Sequence, residues 1–305
     1  MKRKRKLFAA ILALLLLTAA MLSGCAAGET SETAAPAEEH ADETGAPAPA
    51  ETPEEDPAAL REAAYADAAA LLERGDYEGA LAAFESLDGF GDAAEQAAYC
   101  RAVLDAQKLQ AGDVYTFGRF EQDDDETNGP EAIEWLVLEK EDDRILVISR
   151  YALFAMACHD VNKKITWENC TLRAYLNGVF PDEAFSAEEQ ARILTVTVPP
   201  AESPKTHQAV GNATEDKVFL LSITDLDNYF PTDAERECRP TAYALAHGAK
   251  AKETNGNCWW WLRLPGAGSN LAPRVNCYGS LRAYGPPVTS DYSCVRPVMW
   301  IDLLP

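Results

Sequence analysis

Residues 26–57 contain no aromatic and no branched aliphatic side chain, and this gap limits where a folded core can lie. The segment holds ten acidic residues, five prolines and no lysine or arginine. Such a composition cannot bury enough apolar surface to order a chain, so we expect a disordered acidic tether over residues 25–57. A core that follows the tether must be built from residues 58–305.

Residues 1–24 have the layout of an export signal. Five basic residues follow Met1, and an uncharged apolar run then extends from Leu7 to Met21. This run is shorter than the ~20 residues that a membrane-spanning helix needs. The ending Leu22-Ser23-Gly24-Cys25 resembles the lipobox of bacterial lipoproteins. That resemblance implies lipidation of Cys25, cleavage just before it, and anchoring to the outer face of the cytoplasmic membrane, in a Gram-positive cell. The alternative is an uncleaved N-terminal anchor.

The charge of the chain excludes some classes of partner. The formal net charge is −22, and removing the five basic residues of the leader leaves 22 basic against 49 acidic residues, or −27. Nucleic acids and anionic lipid surfaces attract basic patches, so we expect neither as a partner. The acidity itself is explained by solubility and by repulsion from an anionic envelope, with an acidic binding surface as the alternative.

The segment 58–110 is rich in alanine, leucine and acidic residues and is predicted to be helical. Ala63, Ala66, Ala70 and Leu71 recur at helical spacing, as do Ala80, Leu81 and Phe84 in the next stretch. The run LLERGDYEGALAAFESL (residues 71–87) resembles the helical hairpin of a tetratricopeptide repeat. One hairpin and one further helix are too few for a peptide-binding groove. We expect a small helical spacer.

From residue 111 to 305 the pattern predicts a single α+β module with mostly antiparallel sheets. Helices are expected over 166–178, from Ser186, where Glu189 completes a capping box, and near 223–230 and 240–247. The expected strands are 113–120, 132–139, 144–150, 193–198, 217–222, 258–263, 272–277, 280–284 and 294–302.

The densest chemical feature is GNCWWWLRLPG, residues 256–266. Side chains alternate along a strand, so Trp259, Trp261 and Arg263 should share the face opposite Trp260. This face would form an aromatic and cationic stripe that stacks on a sugar or holds a carboxylate. The alternative is a second buried layer in which Arg263 pairs with a buried acid.

The last predicted strand extends the candidate site. If strands 258–263 and 294–302 are neighbours, Arg296 and Arg263 would share a concave site with Asn257, Asn276 and Trp259. Residues 258–305 carry four arginines and only two acids, which favours an anionic or polyhydroxylated ligand. The predicted ligand-binding residues are Trp259, Trp261, Arg263, Asn276 and Arg296.

Residues 112–303 resemble a family of bacterial extracellular modules of unassigned function, common in lipoproteins of Gram-positive gut bacteria. The matching pieces include TFGRFEQD, ILVISRYAL, TLRAYLNGVF, NCWWWLRLPG and VRPVMWIDL. The tryptophan-rich strand and the VRP strand are similar to those of the C-type-lectin-like fold, which the sulfatase-modifying (formylglycine-generating) enzymes share. The resemblance implies looped antiparallel sheets flanked by two helices. The usual serine of LRSPG is Leu264 here.

The sequence does not predict catalysis, a cofactor or a metal site. The histidines lie far apart, and Cys158 and His159 are neighbours whose side chains would point apart on a strand. The loop DDDETNG (123–129) starts like a calcium loop but has Trp135 where a glutamate is required, so a solvated turn is expected. The seven remaining cysteines have no Cys-x-x-Cys spacing, and their disulfide state stays open: Cys100, Cys158, Cys170, Cys238, Cys258, Cys277 and Cys294.

These inferences predict a surface-anchored bacterial lipoprotein with a non-catalytic binding module for a glycan, protein or peptide at the cell envelope. One alternative is a structural or interaction protein of the envelope without a small ligand. A less favoured alternative is an oxidase like the formylglycine-generating enzymes, with Cys277 and Cys294 as its thiols, although Cys258 pairs equally well with Cys277. The oligomeric state and the identity of the ligand stay open.

Overall fold

A computed structural model describes residues 56–203, 208–209, 211–264 and 270–304. The expected signal peptide, Cys25 and nearly all of the expected tether lie outside the described residues. Within the described ranges, every helix is too short or too polar to cross a bilayer.

Helices and short strands alternate along the described chain. The helices are α1 (Pro57–Glu73), α2 (Tyr77–Glu85), α3 (Ala93–Lys108), α4 (Thr171–Asn177), α5 (Val179–Ala184), α6 (Ala187–Arg192), α7 (Ile223–Tyr229), α8 (Asp233–Arg236) and α9 (Ala242–Ala246). The strands are β1 (Val114–Phe120), β2 (Glu131–Glu141), β3 (Arg144–Ser149), β4 (Phe154–Ala155), β5 (Val196–Val198), β6 (Thr214–Asp216), β7 (Val218–Phe219), β8 (Trp260–Trp261), β9 (Arg274–Val275), β10 (Leu281–Arg282), β11 (Cys294–Val295) and β12 (Val298–Asp302). The predicted α+β class is confirmed.

Helices α1 to α3 form the predicted helical segment and share a small core. Asp56 accepts a hydrogen bond from the amide of Ala58, and Asp76 accepts one from that of Gly79, which fixes the starts of α1 and α2. The buried face of α1 was predicted wrongly, because Ala63, Ala66 and Ala70 are exposed. The buried residues of this core are Ala68, Ala80, Phe84, Leu87, Ala93, Ala97 and Cys100, with Tyr65 and Leu72 packed against them. The larger side chains determine which face of α1 packs against the core, because they bury more apolar area than alanine does.

The first sheet has five strands in the order β1-β2-β3-β12-β7, all antiparallel. The ends of the first three strands all lie within two residues of the predicted ones. Trp135 of β2 is fully buried, and its indole Nε1 donates a hydrogen bond to the carbonyl of Phe117 at 2.7 Å. This sheet and the second sheet contribute to one continuous hydrophobic core.

The second sheet has the order β10-β9-β8-β11-β4, and its strands have two residues each. The tryptophan strand and the last segment are neighbours, the condition set above for a shared site, because Cys294 of β11 pairs with Trp260 of β8 in parallel orientation. The predicted strand 294–302 is divided into β11, in the second sheet, and β12, in the first. Pro297 lies between them and has no amide hydrogen for a ladder, so the chain leaves one sheet there and enters the other.

The middle helices differ from the prediction in detail. The expected helix 166–178 begins as a 3₁₀ turn over Trp167–Asn169 and continues as α4. Helices α5 and α8 were not predicted. The capping box at α6 is confirmed, since the Ser186 hydroxyl and the Glu189 carboxylate each accept from the other residue's backbone.

Candidate ligand-binding surface

The three consecutive tryptophans have unequal exposure. Trp260 and Trp261 are fully buried, and Trp259 is partly exposed. The indole Nε1 atoms of the two buried rings donate to main-chain carbonyls, that of Trp260 to Arg236 at 2.9 Å and that of Trp261 to Met156 at 2.8 Å. Trp261 therefore belongs to the core and not to an exposed stripe, because the second face of β8 is covered as well as the first.

The two arginines of the predicted site are also buried. The Arg263 side chain is 3% exposed, donates to the Leu220 carbonyl at 2.8 Å, and lies 3.4 Å from an Asp225 carboxylate oxygen. Burial lowers the pKa of Arg263, and the Asp225 carboxylate opposes that shift. The alternative prediction, a buried layer with Arg263 paired to an acid, matches this geometry. Asp225 itself is only partly buried.

Arg296 is buried inside the module. Among the described residues, no carboxylate forms an ion pair with it. Its Nε and Nη2 atoms both donate to the Ser149 carbonyl, at 3.0 and 2.9 Å. Its guanidinium carbon lies 4.9 Å from the ring centre of Trp260 and 5.7 Å from that of Phe230. These contacts orient the side chain between the two sheets and stabilise its charge by the aromatic quadrupoles.

The two predicted asparagines have structural partners. Asn276 accepts hydrogen bonds from the amides of Tyr278 and Ser280, which closes the turn between β9 and β10. Asn257 donates to the Glu237 carboxylate at 2.7 Å. Both are buried, so the expected concave site around Arg263 and Arg296 is closed in this structure. Ligand binding by Trp259, Trp261, Arg263, Asn276 and Arg296 stays a prediction, and Trp259 alone among them has exposed surface.

A different set of cations surrounds Trp259. We call Trp259, Arg274, Tyr292, Lys250 and Arg282 the basic–aromatic patch. The guanidinium carbon of Arg274 lies 5.7 Å from the Trp259 ring centre and 5.4 Å from that of Tyr292, and Lys250 Nζ lies 4.7 Å from the latter. The two rings and Arg274 are partly exposed, and Lys250 and Arg282 are exposed. The stripe of aromatic and cationic side chains predicted from the sequence thus exists with other arginines.

Sheet pairing positions the patch. Arg274 of β9 lies opposite Trp261 on one side and opposite Arg282 of β10 on the other. The amide of Lys250 donates to the Tyr292 carbonyl at 3.2 Å, and the amide of Cys294 donates to the Trp259 carbonyl at 2.7 Å. Arg274 Nη1 donates to the Ser293 hydroxyl at 2.9 Å, whereas its buried Nε has no hydrogen-bond partner.

The charge of the patch is not neutralised by the part of the chain that the structure describes. Lys250, Arg274 and Arg282 form no ion pair there, and neither does Asp291, the acid adjacent to Tyr292. The sequence shows the excess of arginines in this region but not which of them lie beside Trp259. The register of β8, β9 and β10, which brings Arg274 beside Trp259, cannot be read from two-residue strands.

A second concavity of about 330 Å³ lies beside the acidic loop. It is lined by Phe120, Glu121, Glu126, Gly129, Pro130, Glu183 and Tyr243. Carboxylate oxygens of Glu121, Asp123 and Glu131 lie within 4.8 Å of one another nearby. Main-chain amides already donate hydrogen bonds to these oxygens, and the amides of Gln122 and Asp123 both donate to Glu131. The carboxylates therefore have hydrogen-bond partners within a solvated turn. The positions that suggested a calcium loop, Asp124, Glu126, Asn128 and Gly129, are not part of this cluster.

The described cysteines are all free and buried. Burial raises the pKa of Cys158 well above its usual range, and the adjacent His159 bonds Thr171 through Nδ1 rather than the thiol. The Cys258 thiol interacts with those of Cys238 and Cys294. Cys258 forms no disulfide in this structure with Cys277, the partner considered from the sequence.

Comparison with known proteins gives one match. A family model described as a domain of unknown function (DUF6273) matches residues 142–303, a little over half of the chain. No curated protein and no solved structure matches the chain significantly.

Proposed function

The chain belongs to the DUF6273 family of domains of unknown function, and from that premise we propose that it is a surface-anchored bacterial lipoprotein with a non-catalytic binding module. The family itself supplies no activity, and a fold does not imply a function. The ligand is a glycan or a protein segment of the cell envelope. The C-type-lectin-like layout is part of this proposal and is supported by the short, looped second sheet.

The basic–aromatic patch is the observation that carries the binding function. Partly exposed aromatic rings with cations held against them form a surface on which a planar or polar ligand can stack and be held by hydrogen bonds. The hydrogen bond to Ser293 and the two neighbouring rings orient the Arg274 guanidinium before a ligand arrives, which lowers the entropic cost of binding. We therefore place the ligand at Trp259 and Tyr292, outside the closed region around Arg263 and Arg296.

A binding screen with matched variants tests this proposal. The purified chain lacking residues 1–25 is applied to a glycan array and to envelope fractions, beside Trp259→Ala and Trp300→Ala. Trp300 is a suitable control because it is also partly exposed and carries Arg144 at 4.6 Å from its ring centre, but lies on the first sheet. We expect Trp259→Ala to lose the binding that Trp300→Ala keeps. Equal binding by both variants, or no binding by the unaltered chain, contradicts the proposal.

The location is tested separately. The leader and the lipobox-like ending at Cys25 support lipid anchoring. In a bacterial host that lipidates proteins, the full chain should partition into detergent and incorporate labelled fatty acid, whereas Cys25→Ala should do neither. A full-length Cys25→Ala protein that still takes up the label would contradict lipidation at this thiol.

A second candidate function is a structural or interaction protein of the envelope without a small ligand. The burial of Trp260, Trp261, Arg263 and Arg296 favours it, because buried side chains stabilise the fold and are not available to a ligand. Under this alternative, Trp259→Ala changes stability without changing the retention of any glycan, and envelope proteins are recovered equally with both tryptophan variants.

A further inference from the structure

We propose that the basic–aromatic patch recognises an acidic saccharide, a sugar chain carrying a carboxylate or phosphate group. This inference rests on the proposed function, because it names the ligand class of the same surface. It is carried by the charges of Arg274, Arg282 and Lys250 and by the fixed orientation of the Arg274 guanidinium.

The two arginines are arranged unfavourably unless an anion lies between or beside them. Arg274 and Arg282 are directly opposite on β9 and β10, a position in which like charges destabilise a sheet. Neither forms an ion pair among the described residues, although the whole chain has a net charge of −22. An anionic group bound at this place would relieve the repulsion.

The other surface arginine stacked on a tryptophan shows the contrast. Arg144 lies over Trp300 and donates to the Glu141 carboxylate through Nε at 2.8 Å and Nη2 at 2.5 Å. That guanidinium is thus already neutralised by the protein. Arg274 has the equivalent place on Trp259, but its hydrogen-bond partner is the neutral hydroxyl of Ser293.

The guanidinium of Arg274 is oriented in advance. The rings of Trp259 and Tyr292 lie against it, and the Ser293 hydroxyl accepts from one Nη atom. A guanidinium held in this way binds carboxylate and phosphate oxygens with defined geometry. Lys250, with its Nζ 4.7 Å from the Tyr292 ring centre, adds an exposed positive charge that suits either group.

The aromatic rings select the rest of the ligand. Trp259 and Tyr292 offer partly exposed faces on which the apolar side of a sugar ring can pack, while its hydroxyls remain available for hydrogen bonds. A long polyanion is disfavoured because the negative charge of the whole chain repels it. A saccharide with one or a few acidic groups satisfies both conditions.

Two matched pairs of probes distinguish the two sources of the acidic group. Sialyllactose is compared with lactose, and phosphorylated mannopentaose with mannopentaose, by calorimetric titration of the unaltered chain without residues 1–25. We expect the acidic member of at least one pair to bind about tenfold more tightly than its neutral match. Added salt should reduce that preference.

Variants connect the preference to the patch. Lys250→Gln and Arg282→Gln change exposed side chains and should fold normally, and each should lower the preference for the acidic member severalfold. Arg274→Gln should abolish it, with Arg274→Lys restoring part of it. Arg144→Gln is the control and should leave it unchanged.

The outcomes separate this inference from the proposed function. If neutral and acidic members bind equally, and the three cation variants change nothing while Trp259→Ala abolishes binding, the inference fails and the binding function stands. If acidic peptides bind at the patch and no saccharide does, the inference also fails. If no glycan or envelope component binds in any assay, the proposed function fails with it.

Discussion

Arg263 shows how a residue chosen as a ligand contact can be part of the folded core. Its guanidinium donates to the Leu220 carbonyl and pairs with Asp225, with 3% of the side chain exposed. Strand alternation correctly separates Trp259 from Trp260, but it does not say which faces of the strand are covered. The burial of Trp261 and Arg263 follows from packing on both faces of β8, which no single strand reveals.

Replacing Arg263 by alanine should therefore destabilise the fold rather than remove a ligand contact. The change leaves the Leu220 carbonyl unpaired and a cavity between buried neighbours, so we expect a loss of about 3 kcal/mol in the free energy of unfolding. Urea denaturation followed by circular dichroism measures it. Arg150→Ala is the matched control, since its ion pair with Glu134 is exposed and should be worth less than about 1 kcal/mol. An Arg263→Ala protein as stable as the control would contradict the structural role.

The six tryptophans should respond to quenching as two groups. Trp135, Trp167, Trp260 and Trp261 are buried, whereas Trp259 and Trp300 are partly exposed. Native fluorescence should be blue-shifted and mostly resistant to acrylamide, with a smaller accessible fraction. Trp259→Phe should remove part of the accessible fraction, and Trp261→Phe should remove only resistant emission. Loss of accessible emission in Trp261→Phe would show that this ring is not in the core.

Among the elements, long strands and capped helices could be predicted and short strands could not. Strands β1 to β3 have six or more residues each, long enough for an alternating or continuous apolar run to be recognised, and Ser186 with Glu189 identifies the start of α6. The strands of the second sheet have two residues each, so alternation within them carries little information about register. This is why the sequence could not show that Arg274 lies beside Trp259.

The capping box of α6 should make stability depend on acid pH. Burial alone would raise the pKa of Glu189, but hydrogen bonds from Ser186 and from the amide of Gly118 hold it below its usual range. A depressed folded-state pKa means that the stabilisation is complete above the ordinary carboxyl value of about 4.3 and is lost as the pH falls through the lower, folded value.

Glu189→Gln tests this dependence. The variant cannot ionise, so it should be about 1 kcal/mol less stable than the unaltered chain at pH near 7 and should converge with it in acid. Urea midpoints measured from about pH 7 to pH 3 provide the comparison. Glu188→Gln changes an exposed neighbour on the same helix and should match the unaltered chain throughout. A constant difference at every pH would mean that the charge of Glu189 is not involved.

Gly118 lies at an irregularity in β1 that packs against the C-terminal end of α5. Its φ is +72°, and an added Cβ would lie 2.4 Å from the Phe185 ring and 2.7 Å from the Ala184 carbonyl oxygen. Gly112 also has a positive φ, +96°, but nothing lies within 4 Å of its Cβ position. Gly118→Ala should therefore destabilise the protein by about 2 kcal/mol more than Gly112→Ala in thermal or urea unfolding. Equal losses would show that only the backbone conformation matters.

At the scale of the whole molecule, composition and pattern were enough for the α+β class, whereas the boundary at residue 110 between helical segment and module stays a prediction. Two hydrophobic clusters correspond to these parts, one around Phe84 and one that contains both sheets. The placement of charge could not be predicted in the same way. Acidic residues dominate the chain, yet the basic–aromatic patch collects cations from segments far apart in sequence. Strand pairing places Arg274 opposite Arg282, and a main-chain hydrogen bond joins Lys250 to Tyr292.

The cysteines are distributed over both hydrophobic clusters, so the reactivity of their thiols can report the unfolding of each part of the chain. The seven described thiols are buried, with Cys100 in the helical cluster and the others in the module. Burial raises the pKa of Cys170 to about 12 and those of Cys238 and Cys258 well above the usual range. Since the thiolate is the reactive form, these groups should be inert while the protein is folded.

The chain without residues 1–25 should therefore show no rapid reaction with Ellman's reagent in the native state and seven reactive thiols in urea without reductant. Cys277→Ser should lower the unfolded count by one and calibrate the assay. Because reaction requires exposure, the labelling rates across rising urea should follow unfolding, with Cys100 separable from the rest if the helical segment opens first. An unfolded count of five would instead reveal one disulfide, and peptide mapping of Cys238, Cys258 and Cys294 would identify its members, since these three thiols interact in the folded chain.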